Sequence, residues 1–215
     1  MSFWEYLDRE RDDLIELGIE HAQVVLMAVA IAVVVGVTLG VLTYRTTTPR
    51  LAVLAVTGAF LTIPSIALYG YLLTVLGLGT RTALVALVLY ALLPIVRNTI
   101  TGLREVDPAV VESAQGMGMP RWRRLLQIEL PLAWPVIIAG IRVSTQILVG
   151  IAAIAAVING PGLGKDIFRS LARVGTPTAV NQALAAVLGI VILGLLLDIA
   201  YLLIGRLTTS RGLRE

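Results

Sequence analysis

The stretch Ala22–Tyr44, AQVVLMAVAIAVVVGVTLGVLTY, decides the fold class of this chain. It contains no charged side chain and is almost wholly apolar. An α-helix rises about 1.5 Å per residue, so about 20 apolar residues cross the roughly 30 Å hydrocarbon layer of a bilayer. The stretch is long enough for that and therefore predicts a transmembrane helix.

The composition of the whole chain agrees with a membrane protein. Of its 215 residues, 57% are hydrophobic and 14% are charged, whereas about a quarter of the residues in soluble domains are charged. The net charge of +3 is too small to indicate nucleic-acid binding. The absence of cysteine excludes a disulfide framework and a thiolate metal site. This length fits one compact membrane domain, which we place at residues 21–206.

Further apolar stretches follow the first and bring the expected number of transmembrane helices to five. They are Leu51–Thr80, Thr82–Val96, Trp134–Ile158 and Val180–Ile204. The first of them is long enough to tilt, or to bend at Pro64 or Gly70. The second is short and reaches full length only if Arg97 extends to the interface. The fold class predicted from these stretches is an all-α, polytopic membrane protein.

The basic residues give the expected orientation. An odd number of spans puts the two termini on opposite sides of the membrane. With the N-terminus outside, the cytoplasmic segments hold ten arginines and the outer segments hold six basic residues, which agrees with the positive-inside rule. We therefore expect a cytoplasmic C-terminal tail at residues 207–215.

The N-terminal segment, residues 1–20, is acidic: seven acidic residues stand against Arg9 and Arg11. A secretory signal begins with a basic region instead. We therefore expect the first span to be kept, and the acidic segment to be a solvated amphipathic tail.

A polar interruption separates the third and fourth spans. Asp107 followed by Pro108 predicts a helix start, because an acidic N-cap and a proline at the first helical position are both favoured. Gly116 and Gly118 predict a break, and Pro120 predicts the start of a second helix. On that helix four side chains at helical spacing are expected to share one face: Trp122, Leu125, Leu126 and Glu129. The residues alone allow two interpretations, an amphipathic segment on lipid headgroups or a docking element for a protein.

The stretch Glu105–Arg142, EVDPAVVESAQGMGMPRWRRLLQIELPLAWPVIIAGIR, resembles the EAA segment of bacterial ATP-binding cassette (ABC) importer permeases. That segment has an acid, small residues, a glycine six positions after the acid, and a closing Leu-Pro. Ser113 replaces the more common alanine. The residues that fit the pattern are Glu112, Ala114, Gly118, Leu130 and Pro131. Two other stretches, at residues 62–103 and 158–168, are similar to the osmoprotectant subfamily, which imports glycine betaine, carnitine and choline.

The resemblance implies a type I ABC importer fold, with a cytoplasmic coupling loop at residues 104–131. In such importers the EAA helices sit in a groove of a cytoplasmic ATPase, and closure of two ATPases around ATP reorients the membrane domain. The implied partners are two ATPase subunits, a second permease chain (identical or related) and an extracytoplasmic solute-binding protein. The implied location is the plasma membrane of a bacterium.

The resemblance also implies roles for particular side chains. Trp122, Leu125 and Leu126 would be apolar anchors in the ATPase groove. Glu112 would cap backbone or pair with a basic residue, and Gly118 would allow the tight corner. No P-loop pattern occurs in the chain, so we expect a non-catalytic subunit with no cofactor of its own, and ATP and Mg to be bound by the ATPase.

Two ionisable residues lie inside predicted spans, where they are costly and usually face protein or water. Arg142 and Asp198 fall at similar depth from the cytoplasmic side, so we expect them to pair or to share a polar network. Snorkelling of Arg142 to the interface is the alternative. Tyr69, Tyr71 and Tyr90 are candidates for a translocation path. Since only 6% of the residues are aromatic, we expect high-affinity recognition of a quaternary ammonium solute to reside in the separate binding protein.

The outer loop after the fourth span carries three basic residues, Lys165, Arg169 and Arg173. They either meet acids on a binding protein or form a solvated face. Competing functions are a permease for methionine, phosphonate or another small solute, and an intramembrane enzyme. An enzyme needs a reactive pair within the spans, and only Arg142 and Asp198 qualify. With a single histidine and no clustered acids in the spans, we expect no metal site.

Overall fold

The computed structural model describes residues 2–208, and this part of the chain is almost entirely helical, which confirms the all-α prediction. Its α-helices are α1 (Phe3–Arg9), α2 (Arg11–Thr43), α3 (Thr47–Thr62), α4 (Ser65–Leu76), α5 (Thr80–Arg104), α6 (Pro108–Gly116), α7 (Arg121–Arg124), α8 (Leu130–Ile154), α9 (Gly164–Leu171) and α10 (Ala179–Thr208). A π-helical turn, Leu125–Glu129, joins α7 to α8, and a 3-10 turn, Ala155–Ile158, ends α8.

Within residues 2–208, four helical stretches are long and apolar enough to cross a membrane. They are α2, α5, the continuous stretch Arg121–Ile158 and α10. Helices α3 and α4 pass the same test only as a pair, and they are bent by 100° relative to each other. The structure therefore has four candidate spans, or the predicted five if α3 and α4 together are counted as one span.

The predicted span Leu51–Thr80 is not one helix, and Pro64 explains the difference. Proline has no N–H to donate and disfavours helical backbone at the residue before it. Ile63 accordingly adopts an extended conformation, with φ −72° and ψ 128°, and α4 restarts immediately after Pro64. Gly70, the other predicted bend, lies inside α4 without interrupting it.

Helix α5 is the centre of the bundle, with α2 and α8 packed along it. Small residues allow these close approaches. A Cβ placed on Gly40 of α2 would lie 2.6 Å from Cγ2 of Thr99, and one on Gly140 of α8 would lie 2.8 Å from the carbonyl oxygen of Pro94. Because real Cβ atoms do not come so close to other atoms, glycine is required at both contacts.

The two ends of the chain differ from the predicted boundaries. The acidic segment is a folded part of the protein: α1 contacts α10, and the side chains of Tyr6 and Leu17 are buried. The last helix continues to Thr208, two residues beyond the predicted end of the membrane domain. The rest of the predicted tail, residues 209–215, lies outside the described residues.

Candidate coupling segment and polar clusters

The segment between α5 and α8 folds as two short helices joined at a glycine corner, as predicted. The Asp107 carboxylate caps α6 by accepting a hydrogen bond from the Ala109 N–H at 2.8 Å, and Pro108 is the first helical residue. Helix α6 ends at Gly116. Gly118 has φ +79°, a conformation that side chains with a Cβ rarely adopt. The chain then turns sharply into α7, so the corner is set by backbone geometry.

The exposed side of this segment carries large apolar side chains. Met117 is 76% exposed, Trp122 67% and Leu126 60%. Glu112 is also exposed, and within residues 2–208 it makes no ion pair or side-chain hydrogen bond, so the predicted cap or basic partner is not found there. Ala114 is buried and packs inward. Leu130 is half-buried and Pro131 is exposed where α8 begins.

The prediction that Trp122, Leu125, Leu126 and Glu129 share one face is wrong. Leu125 and Glu129 are buried, whereas Trp122 and Leu126 are exposed. Part of the reason is the π-helical turn Leu125–Glu129, in which a hydrogen bond joins residues five apart and the side chains late in the turn, such as Glu129, leave the α-helical register. Leu125 is part of the buried core in this structure, whereas Trp122 and Leu126 are open to a partner.

The π-helical turn brings charged groups together at the buried side of the segment. The Glu129 carboxylate accepts hydrogen bonds from the Tyr44 hydroxyl at 2.6 Å, from Nη2 of Arg45 at 2.8 Å and from Nε of Arg124 at 3.0 Å. Arg124 also donates to the side chain of Gln115 at 3.2 Å. We call this set, with Glu129 at its centre, the Glu129 cluster.

The Glu129 cluster was not predicted, although the sequence carries a signal for it. Glu129 is an acid on an otherwise apolar helical face, and Tyr44 and Arg45 are adjacent at the end of the first span. A buried acid normally requires compensating donors. The sequence pattern does not show that Glu129 lies close to Tyr44 and Arg45, because these residues are far apart in the chain.

Arg142 and Asp198 form a bidentate ion pair between α8 and α10. Nε of Arg142 lies 2.6 Å from Oδ1 of Asp198, and Nη2 lies 2.7 Å from Oδ2. The Arg142 side chain is 38% exposed and that of Asp198 is 26% exposed. Gln146 donates to the Gly194 carbonyl nearby, so a polar patch faces outward from the single chain at this level.

The three candidate path tyrosines differ in burial. Tyr69 and Tyr90 are buried, and each donates its hydroxyl to a backbone carbonyl, Tyr69 to that of Ile151 at 3.2 Å and Tyr90 to that of Ile63 at 2.6 Å. Only Tyr71 is exposed, at 69%. In this structure Tyr69 and Tyr90 are part of the buried core of the bundle.

Two of the three basic residues predicted in the outer loop, Lys165 and Arg169, form ion pairs within the chain. Nζ of Lys165 lies 2.8 Å from Oε2 of Glu20, and the same oxygen accepts the Gly162 N–H at 3.0 Å. Arg169 pairs with Asp166 at 3.3 Å. Along with Arg173, these charges line a cleft of about 490 Å³. The acidic N-terminal segment and the loop after α8 are therefore joined by the contacts of Glu20, an interaction that was not predicted from the sequence.

Tyr6 is buried at the same cleft, outside the membrane-spanning helices. Its burial, followed by the nearby Asp166 carboxylate, raises the pKa of Tyr6 to about 12. The hydroxyl is therefore a neutral donor or acceptor at physiological pH. Within the described part of the chain, no group of three or more His, Cys, Asp or Glu side chains could hold a metal ion.

The structure is thus a bundle of apolar helices, interrupted between α5 and α8 by a short hairpin with exposed apolar side chains. Residues 32–210 match the family described as "Binding-protein-dependent transport system inner membrane component". This match covers most of the chain, and the chain therefore belongs to that family.

Relatives in the family carry more specific descriptions. The chain is 38% identical over 195 residues to the osmoprotectant import permease protein OsmY of Salmonella typhimurium. That alignment covers 90% of this chain and 83% of OsmY. It is 37% identical over 195 residues to the glycine betaine/carnitine/choline transport system permease protein OpuCB of Bacillus subtilis, covering 91% and 88%. It is 40% identical over 167 residues to the choline transport system permease protein OpuBB of the same organism, covering 78% and 77%.

The fold is that of a solved importer. The chain is similar to inward-facing structures of the MetNI methionine ABC transporter, with a TM-score of 0.82 at 23% identity and of 0.79 at 24% identity. Both comparisons cover 92% of this chain and 96% of the other. At this level of identity the likeness shows the fold alone, and it confirms the predicted type I importer architecture.

Proposed function

We propose that this chain is the membrane-spanning permease subunit of an ATP-driven importer for a compatible solute such as glycine betaine, choline or carnitine. The observation that carries the proposal is the similarity, over about nine tenths of the chain, to permeases described as transporting osmoprotectants. The chain is a non-catalytic subunit. It provides the path for the solute, and a separate ATPase binds ATP and Mg and supplies the energy.

The coupling hairpin α6–α7 is the part that contacts the ATPase. Met117, Trp122 and Leu126 are large, exposed apolar side chains at the corner of this hairpin, in α7 and in the turn that follows it. Exposed aromatic and aliphatic anchors of this kind dominate the energetics of protein interfaces when a partner buries them. Glu112 is exposed on the same hairpin and is available to a basic residue of the partner.

The assembly contains two ATPase subunits, a second permease chain and an extracytoplasmic binding protein. The outward-facing polar patch of Arg142 and Asp198 supports the second permease chain, because an ion pair left against lipid would be costly. The distribution of basic residues supports a bacterial plasma membrane location with the N-terminus outside and the C-terminus in the cytoplasm.

Solute-stimulated ATP hydrolysis tests the proposal. The permease is reconstituted in proteoliposomes with its ATPase and binding protein, and hydrolysis is measured with glycine betaine, choline, carnitine and methionine in turn. Stimulation by one or more of the first three supports the proposal. Stimulation by methionine alone would assign the chain to a different solute class. If no ATPase associates with the chain, the importer assignment itself fails.

A further inference from the structure

The Glu129 cluster joins parts of the chain that have different positions in the fold. Tyr44 and Arg45 follow the last residue of α2, at the end of the first span. Arg124 is the last residue of α7, and Gln115 lies in α6. Through four hydrogen bonds the cluster therefore links the coupling hairpin to the cytoplasmic end of α2.

The two charged side chains at the centre of the cluster are buried. Glu129 is 2% exposed and Arg124 is 5% exposed. Buried charges are stable only while they are paired and hydrogen-bonded, and removing one partner leaves the other uncompensated. The hairpin and the end of α2 therefore cannot separate without exposing or unpairing a buried charge, so a displacement of one is passed to the other.

The local backbone favours the same interpretation. In a regular α-helix, Glu129 would project from the same side as Trp122, seven residues earlier. The π-helical turn Leu125–Glu129 rotates it inward instead. A π turn is rare and is frequently found at functional sites, since it costs hydrogen-bond geometry. Here it places the Glu129 carboxylate against the donor groups of Tyr44 and Arg45, just after α2, and of Arg124 in α7.

Helix α2 is well placed to carry a movement onward. It packs along the central helix α5, where Gly36 and Gly40 bring the two backbones close together. Closely packed helices move as a unit, because a well-packed contact has little free volume to absorb a shift. A movement at the cytoplasmic end of α2 is therefore transmitted into the middle of the bundle.

We propose that Glu129 is a positioning residue for energy coupling, which ties the hairpin contacted by the ATPase to the first transmembrane helix. This inference rests on the proposed function, because it assumes that α6 and α7 receive the movement of an ATPase. It adds a second connection between hairpin and bundle, independent of the direct chain continuity from the hairpin into α8.

The test compares solute uptake with ATP hydrolysis in the reconstituted complex. The variant Glu129→Gln keeps the size of the side chain but removes its charge. The complex still assembles and hydrolyses ATP, while uptake per ATP hydrolysed falls about tenfold, as expected from losing charge-assisted hydrogen bonds at the link. Gln127→Ala is the matched control, since Gln127 lies in the same π turn but is exposed and bonded to Arg123. It leaves uptake per ATP unchanged.

Uptake per ATP separates coupling from a merely structural role. A structural role would lower the amount of assembled complex and reduce uptake and hydrolysis in proportion. Wild-type uptake per ATP in assembled Glu129→Gln complex would overturn the inference. If that variant does not accumulate, the milder variants Tyr44→Phe and Arg45→Gln replace it. Each then lowers uptake per ATP, and unchanged ratios in both would overturn the inference.

The proposed function fails in a different way. If the ATPase co-purifies equally well after Trp122→Glu, the hairpin is not its docking element, whatever the result at Glu129. If the ATPase is lost after Trp122→Glu but Glu129→Gln is fully coupled, docking is upheld and only the positioning role is rejected.

Discussion

Arg142 on α8 and Asp198 on α10 form a two-pronged ion pair, with N–O distances of 2.6 and 2.7 Å, at a level where both helices lie within the predicted membrane. The residues are far apart in sequence, so the pair fixes the register of α10 on α8. Planar guanidinium and carboxylate groups match in this geometry, which lysine could not reproduce.

We expect Arg142→Gln and Asp198→Asn to lower the stability of the protein individually, and the double variant to lose less than the sum. Each single change leaves one charge without its partner at membrane depth, and the second change removes that charge. Thermal unfolding in detergent measures the effect. Fully additive losses would contradict a direct interaction between the two side chains.

We expect Trp122→Glu to abolish co-purification of the ATPase, because a charge replaces an exposed aromatic anchor on the coupling hairpin. Trp4→Glu is the control, since Trp4 is 76% exposed but lies in α1, at the opposite end of the predicted topology. Equal loss of the ATPase in both variants would point to a general defect in folding.

We expect neighbouring leucines to respond differently to truncation. Leu125→Ala should lower the free energy of unfolding in detergent by about 2–5 kcal/mol, because it empties part of the buried core. Leu126→Ala should leave that free energy nearly unchanged and weaken ATPase binding, because Leu126 is exposed. The reverse result would contradict the burial of Leu125 and the exposure of Leu126.

We expect Gly40→Ala to destabilise the bundle by about 1–3 kcal/mol, because the added methyl group would overlap Thr99 of α5. Gly70→Ala provides the comparison, since nothing lies within 4 Å of a Cβ at that position. The midpoint of thermal unfolding should fall for the first variant and stay level or rise for the second. Equal effects would contradict the close packing of α2 on α5.

Because the chain contains no cysteine, single introduced cysteines can report its orientation directly. We expect Trp4→Cys to react with a membrane-impermeant maleimide in intact cells. We expect Met117→Cys, on the coupling hairpin, to react only after the membrane is opened. The opposite pattern would reverse the orientation inferred from the basic residues.

Sequence reasoning performed best where one residue type determines the local backbone. The Asp107 cap, the proline start of α6 and the corner at Gly118 are all as predicted, because each follows from a residue's own hydrogen bonding or φ preference. The apolar spans were also found, and a bend at Pro64 was one of the possibilities that the sequence offered for Leu51–Thr80, although its angle of 100° was not predicted. Pairing of Arg142 with Asp198 followed from counting residues along antiparallel helices.

What failed depended on contacts that a linear pattern does not contain. The shared face expected for Trp122, Leu125, Leu126 and Glu129 assumed a regular α-helix, whereas Leu125–Glu129 is a π turn, for which the sequence has no simple signal. The burial of Tyr69 and Tyr90 depends on which helices surround them, and the sequence pattern does not give that. Likewise, Lys165 meets Glu20 only because the acidic segment folds back to the outer loop.

The hydroxyl of Tyr90 has a consequence for the sharp bend between α3 and α4. A reversal of direction inside hydrocarbon releases a peptide oxygen that lipid cannot solvate, and a segment with such an oxygen would normally need water. Tyr90 supplies the missing proton donor to the oxygen of Ile63, at 2.6 Å. The bend between α3 and α4 therefore does not need a water molecule at the Ile63 carbonyl, because the Tyr90 hydroxyl satisfies that acceptor.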